Sequence, residues 1–430
     1  MTLVLKDGLI VDSKGERQLD VKIGDDGIVL ETGQNLKGDN EVDCSGCVVS
    51  SGFVDLHAHL REPGNEEAET IDTGARSGAI GGYTALVSMP NTEPATDCLA
   101  VVEHIRSLGA KSMCEIVPSA AMTVGRKGQK IVPMGELVDC GVGFFTDDGT
   151  GVQDPLIMRR LMEYSTGLKS RLGRPVVLAQ HCEVTALAQG GHMHEGDWSS
   201  RLGIPGQPSE AEELMVMRDI LLAEMTGARI HFQHLSTAGS VEMVRKAKAA
   251  GLLVTAEATT HHFTLDDSKC SSYDPVYKVH PPLRTSSDLE AIKVGLADGT
   301  IDAVATDHAP HTEHSKEKPF DQAPPGMLGL ETALSLTLEY SGLSLPKVLE
   351  LLSWNPAKIA GINDRHGTIV EKGNPANICV IDLDAKWTVS GKEMVSRSSN
   401  TPYEGWQLKG KVRHTINNGS LMVLDGEALC

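Results

Sequence analysis

Hydrophobic positions change rhythm twice along this chain. Up to about residue 50 they fall in short segments broken by turns, at Leu3–Gly8 (LVLKDG), Asp20–Gly27 (DVKIGDDG) and Glu41–Val49 (EVDCSGCVV), a pattern that predicts a small β unit. From Ser51 short apolar runs alternate with helical stretches. The runs are Phe53–His59, Tyr83–Pro90, Met113–Ser119, Val142–Thr146, Pro175–His181, Arg229–Leu235, Leu252–Thr259 and Ile301–Asp307. Amphipathic spacing predicts helices at Asp154–Leu172, at Ser209–Thr226, whose SEAEE opening reads as a capped start, and at Thr237–Ala250. After the eighth run comes a Gly/Pro-rich loop, Gln322–Gly329 (QAPPGMLG), then helices near Glu331–Tyr340 and Leu345–Leu352. The loop's composition fits a cover over a site and a plain connector equally. From His366 to Cys430 β-like segments return, including Asn377–Leu383 and Val412–Gly419.

Apolar strands alternating with helices over about 250 residues predict an α/β fold, a (β/α)8 TIM-like barrel. The expected division is a barrel over residues 51–365 and a small β-sandwich domain formed from both chain ends, residues 1–50 plus 366–430.

In such a barrel the reactive groups gather at the C-terminal ends of the strands. The first run ends in His57 and His59, the second in Asn91, the fourth in Asp147 and Asp148, the fifth in His181, the sixth in His234, and the eighth in Asp307 and His308. Residues two apart on a strand leave by the same face, so His57 and His59 aim at one point. Histidines satisfied inside a core would be spread over strand interiors, whereas these cluster where strand ends converge. A metal centre is therefore the expectation. Four histidines with two or more carboxylates exceed what one zinc needs, which suggests two metals sharing a bridging carboxylate. The Asp147–Asp148 pair is placed for the bridge, and one of the two should face away, because adjacent strand residues point opposite ways. Two zinc ions would bring a bridging water near neutral ionisation; Asp307 would ligate one metal, take the nucleophile's proton and hand it to a leaving nitrogen.

Composition narrows the partners. The chain has 430 residues, 40% hydrophobic and 4% aromatic, so its core is aliphatic. A net charge of −19 argues against nucleic acid and anionic membranes as partners. Nine scattered cysteines read as reduced thiols of a cytoplasmic protein. Cys44 and Cys47 form a C-x-x-C without a second pair, so they are expected as two thiols in a strand-turn rather than a zinc site. Lys6 and Asp7 interrupt the N-terminus before an apolar signal core forms, and no membrane-spanning run is visible.

The motifs DLHAHLREPG, GGYTALVSMPNT, FTDDG, AQHCE, QHLST, KVHPPLR, ATDHAPHT, PGMLGLET and NTPYEGW, running from end to end, resemble those of the class I dihydroorotases of the amidohydrolase superfamily. The resemblance implies a cytoplasmic, zinc-dependent hydrolase that cyclises N-carbamoyl-L-aspartate to L-dihydroorotate in pyrimidine synthesis. It implies metal ligation by His57, His59, His181, His234 and Asp307, bridging by Asp148, and acid–base work by Asp307. It assigns substrate contacts to Arg61, Asn91, His311, Pro325 and Gly326, and an Arg fork suits a substrate carboxylate. His280 stands where the family commonly has Asn, and its imidazole still offers a donor. Pro325 is followed by Gly326 in a PPG where many members have PFG. The resemblance also implies a homo-oligomer, expected as a dimer, and a complex with aspartate carbamoyltransferase.

Two other readings stay in view. Allantoinases and dihydropyrimidinases hydrolyse related cyclic amides, but many of them bridge their metals with a carboxylated Lys, and this chain has no Lys between Ile131 and Leu168. A non-catalytic subunit supporting the transcarbamoylase would typically have lost the metal ligands, all of which are present here.

Overall fold

Each apolar run carries a strand, because residues buried on both faces of a parallel sheet read as continuous hydrophobic sequence. The computed structural model describes residues 1–174 and 176–429; Pro175, the first residue of the fifth predicted run, and Cys430 lie outside them. Among the described residues the barrel strands are β1 (Phe53–Ala58), β2 (Tyr83–Ser88), β3 (Glu115–Pro118), β4 (Phe144–Thr146), β5 (Val177–Gln180), β6 (Ile230–Phe232), β7 (Val254–Thr259) and β8 (Ala303–Ala305). Parallel pairing joins β1, β2 and β3 in one arc and β4 through β8 in another. Two single bridges close the ring, Ala120 with Phe145 and Ala58 with His308. The second closure is reinforced by the His59 amide donating to the His308 carbonyl at 2.9 Å. The seam of the barrel therefore runs through the residues that the sequence marked as reactive.

A helix follows each strand: α1 (Ile71–Ile80), α2 (Leu99–Gly109), α3 (Met134–Asp139), α4 (Pro155–Leu172), α5 (Glu210–Thr226), α6 (Ala238–Ala249), α7 (Ser286–Asp298) and α8 (Ala333–Tyr340). Thr237 caps α6 by accepting from the Ser240 amide at 3.2 Å, one of the donors a helix start leaves unpaired. The capped start expected at Ser209 does not form. Ser209 itself has helical angles, φ −59° and ψ −32°, and its hydroxyl makes no capping bond. Glu210, Glu212 and Glu213 complement the positive end of α5 instead. Buried Glu212 accepts from the Ser236 and Thr237 amides, each at 3.1 Å, and so ties α5 to the loop that follows His234.

Strands from both chain ends combine in one seven-stranded sheet, in the order Glu427–Ala428, Ser420–Leu424, Gln407–Asn417, Ile378–Thr388, Val48–Ser51, Leu9–Asp12, Gly15–Gln18. A four-stranded sheet of Val29–Gly33, Asp20–Ile23, Leu3–Lys6 and Asn40–Asp43 packs on it. Between them lies a separate apolar core that includes Leu5, Ile10, Val21, Ile23, Val49, Ile378, Val380 and Ile416. Cys44 and Cys47 are buried free thiols in that same core. Only Gly52 separates strand Val48–Ser51 from β1, and a Cβ there would come within 2.2 Å of Thr84 Cγ2. The sheet built from the chain ends thus holds the root of the strand that delivers His57 and His59.

Ile378 is 1% exposed and pairs with Ser51 on one side and Ile416 on the other. Ile378→Ala is expected to lower unfolding free energy by about 2–5 kcal/mol, measured by urea denaturation; a loss below about 0.5 kcal/mol would show that this core contributes little.

Candidate metal centre

At the C-terminal mouth of the barrel, strand ends bring four imidazoles and two carboxylates together. Three of the residues that turn inward there, Arg61, His234 and Asp307, hold positive φ values of 61°, 33° and 45°. Left-handed backbone is costly for side chains of this kind and is retained where the surroundings fix it.

Asp147 and Asp148 lie just past the end of β4 and point apart. Asp147 turns back into the barrel wall, accepting from the Met122 and Thr123 amides at 2.8 and 3.0 Å and from the Thr123 hydroxyl. Asp148 faces the mouth. Its Oδ1 lies 3.3 Å from His57 Nε2, 3.5 Å from His181 Nδ1 and 3.6 Å from His234 Nε2. Its Oδ2 lies 3.6 Å from His59 Nε2 and accepts from Asn91 Nδ2 at 3.3 Å. Asp307 Oδ1 stands 3.0 Å from His59 Nε2 and 3.5 Å from His57 Nε2. Two groups converge tightly enough to hold a cation, His57 with Asp148 and His234, and His57 with His59 and Asp307. His181 adjoins the first of them, with Nδ1 2.9 Å from His234 Nε2.

The first two histidines are oriented from behind. His57 Nδ1 donates to Glu257 Oε1 at 2.8 Å, which fixes the ring and aims Nε2 at the mouth. Glu257 is fully buried in β7 and also holds His231 Nε2 at 3.0 Å. His59 Nδ1 meets Asn91 Oδ1 at 2.9 Å, which likewise presents Nε2. The Asn91 amide thus serves two of the converging side chains while also lining the cavity.

Burial pushes the Asp148 carboxyl upward, but His57, His181 and His234 outweigh it and hold it well below the usual carboxylate range. Asp307 is likewise held well below, with burial overcome by His57 and His59. Burial at His57 is in turn outweighed by Asp148 and Asp307, which raise its pKa well above that of a free imidazole. The pocket therefore favours positive charge at its centre. Among the described residues His57 Nε2, 3.3 Å from Asp148 and 3.5 Å from Asp307, is buried without a hydrogen-bond partner. Imidazoles converging on two buried carboxylates form a donor set that fits a divalent cation.

A cavity of ≈ 260 Å³ opens beside these groups, and its lining includes Arg61, Asn91, His280, His311, Pro325 and Gly326. All six residues with an expected substrate contact thus share one cavity with His59, Asp148, His181, His234 and Asp307; His57 lies behind it. His311 Nε2 sits 2.8 Å from the Pro325 carbonyl, which can only accept, so that nitrogen carries the proton. The nearby Arg61 Nη2, at 3.3 Å, then gains no acceptor from His311 and keeps its donors for another group. Burial and the Arg61 charge push the His311 imidazole down to about 3, so it is neutral. Gly326 has φ +141°, and a Cβ there would come within 2.8 Å of Ala309 Cβ and 2.9 Å of His311 Nε2.

His280 Nε2 lies 3.0 Å from Gln207 Nε2, itself a donor to the Gly191 carbonyl at 3.0 Å. His280 Nε2 therefore accepts, and Nδ1 is the ring's remaining donor. Burial pushes His280 down to about 4, which keeps it neutral. Sequence reasoning missed Glu257, His231 and Asn400. A charged residue in mid-strand, as in Val254–Thr259 (VTAEAT), was the available signal for Glu257. Asn400, which accepts from the His311 amide at 3.0 Å, opens the NTPYEGW motif, but nothing in that string pointed to His311.

Comparison with known proteins adds to this geometry. A family model described as Dihydro-orotase-like matches residues 46–240. The chain is 46% identical over 435 residues to the dihydroorotase of Mycobacterium tuberculosis, covering 99% of each. It is 47% identical over 412 residues to that of Streptomyces coelicolor, covering 94% of this chain and 95% of that one. Among solved structures, L-hydantoinase (dihydropyrimidinase) from Arthrobacter aurescens superposes with a TM-score of 0.89 at 24% identity, covering 100% of this chain and 97% of that one, a likeness of fold.

Glu257→Gln keeps the side chain's shape but weakens its hold on His57 Nδ1. It is expected to lower divalent-metal affinity about 10- to 100-fold, read by chelator competition, while the far-UV spectrum stays unchanged. Parental affinity would show that Glu257 does not orient His57.

Proposed function

The chain belongs to the dihydroorotase family, hydrolases acting on a cyclic amide in pyrimidine synthesis, and we propose that it works through two zinc ions bridged by Asp148. On this reading it interconverts N-carbamoyl-L-aspartate and L-dihydroorotate plus water on the way to UMP. The observation that carries the metal assignment is the division of Asp148, one oxygen toward His57, His181 and His234 and the other toward His59.

His57, His59 and Asp307 would hold one ion and His181 with His234 the other. When bound, such ions polarise the amide carbonyl and bring a water near neutral ionisation. Arg61 binds the substrate carboxylate through the guanidinium donors that His311 leaves free. Asn91, His280 Nδ1 and His311 orient the ring, and Pro325 with Gly326 forms the wall against it. In ring opening, a C–O bond forms between water and the amide carbon as the C–N bond breaks. Asp307 takes the water's proton and delivers it to the leaving nitrogen. In ring closure Asp307 protonates the departing oxygen.

The same reading assigns residues 51–365 to the catalytic barrel and residues 1–50 plus 366–430 to a composite β domain. It includes a homodimer, a cytoplasmic location and association with aspartate carbamoyltransferase. None of the helices among the described residues is long and apolar enough to cross a membrane.

Turnover of dihydroorotate and carbamoyl aspartate by zinc-reconstituted protein, beside hydantoin, dihydrouracil and allantoin, tests the substrate. Preference for either of the latter three over dihydroorotate would refute it. Asp307→Asn is expected to cut turnover about 100- to 10,000-fold while carbamoyl aspartate still binds measurably. Near-parental turnover would sink the role given to Asp307.

A further inference from the structure

Pro325 and Gly326 line the cavity, and the Pro324–Gly326 stretch that carries them has an unusual anchoring problem. Two consecutive prolines carry no N–H, so Gly326 holds the stretch's one amide donor and the rest of its anchoring depends on donors brought to its carbonyls. Side chains supply three of them, and a fourth acts just upstream. Lys278 Nζ donates to the Asp321 carbonyl at 3.0 Å and Lys316 Nζ to the Pro324 carbonyl at 2.9 Å. His311 Nε2 donates to the Pro325 carbonyl at 2.8 Å and Asn400 Nδ2 to the Gly326 carbonyl at 3.1 Å. The first proline-side contact, from Lys316, is also the one that crosses segments: the same ammonium donates to the Pro275 carbonyl at 2.9 Å and reaches the Lys278 carbonyl at 3.5 Å. The Gly326 amide returns a bond to the Lys278 carbonyl at 2.9 Å. Residues 275–280, ending in His280, and residues 316–326 are thereby interlaced.

Among the described residues every hydrogen-bond acceptor of the two ammonium groups is a backbone carbonyl. A lysine serving only solubility would leave its charge in water. Burial and the neighbouring Lys278 push Lys316 down to about 7, and burial lowers Lys278 as well. Holding two like charges here is unfavourable, and what it secures is the position of a loop that lines the cavity.

We infer that Lys316, assisted by Lys278, is a positioning residue for substrate binding: it clamps the Pro324–Gly326 wall to the segment bearing His280, and through Pro325 it sets the His311–Arg61 side of the cavity. This rests on the dihydroorotase reading for the identity of the substrate. The test compares Lys316→Met, Lys316→Arg and Lys278→Met with the parent, reading KM and kcat for dihydroorotate, metal content, and amide hydrogen exchange at Gly326. Lys316→Met is expected to raise KM about tenfold or more with kcat within about twofold and metal content unchanged. Lys316→Arg, which restores donors at that point, should recover most of the affinity. Gly326 should exchange about tenfold faster in Lys316→Met than in the parent. An unchanged KM overturns the inference whether or not exchange quickens, as does a loss confined to kcat or to metal content. If Lys316→Met does not fold, Lys278→Met acts on the same loop through Asp321 and is judged by the same criteria. A parent protein that turns over no dihydroorotate would refute the activity, and Gly326 exchange would then decide the clamp by itself.

Discussion

A carboxylate buried among imidazoles is tolerable only while its charge is matched, and the mouth of this barrel is arranged around that constraint at Asp148. Its side chain is 4% exposed, and three histidine nitrogens lie within 3.6 Å of its Oδ1. Asp307 repeats the arrangement against His57 and His59. Neither carboxylate would stay ionised at that depth without these neighbours. The requirement reaches outward, because each imidazole must present the right nitrogen. Glu257 and Asn91 enforce this for His57 and His59 from behind.

Such precision needs a rigid frame, and the barrel supplies it at an unexpected place. Its ring is joined by continuous pairing except at two single bridges, one of which links Ala58 to His308 between the strands that end in the reactive residues. The sheet formed from the two chain ends stiffens this region from below, since strand Val48–Ser51 passes into β1 across the tightly packed Gly52. Ser353 adds to the hold by donating to the Gly52 carbonyl at 2.8 Å. The composite sheet, far from the cavity in chemistry, is thus mechanically continuous with it.

On the opposite side the cavity wall is made of loops, and there the constraint is a shortage of donors rather than an excess of charge. Proline at both 324 and 325 leaves carbonyls as the points of attachment, and the side chains of Lys316, His311 and Asn400 meet those of Pro324, Pro325 and Gly326. The metal-side groups are held by strand ends and the substrate-side groups by borrowed hydrogen bonds.

The chain's local chemistry was enough to mark eight strands, three of the helices between them and the polar residues at the strand ends, because alternation and helical spacing are properties of neighbours in sequence. It was enough, too, to require that Asp147 and Asp148 point apart. The motifs carried the family. Which Asp faces the mouth was a different matter at the level of residues alone, decided by the Met122 and Thr123 amides that capture Asp147. The cap expected at Ser209 failed because its backbone is already helical, something the SEAEE string does not reveal. Glu257 behind His57 lies 200 positions away, and Asn400 meets His311 across 89. Contacts of this span leave no periodicity in the sequence. They exist only because barrel closure brings distant strand ends and loops within hydrogen-bonding distance, and so the ligand types and their strand positions belong to the sequence, while their orientation and the shape of the cavity belong to the tertiary structure.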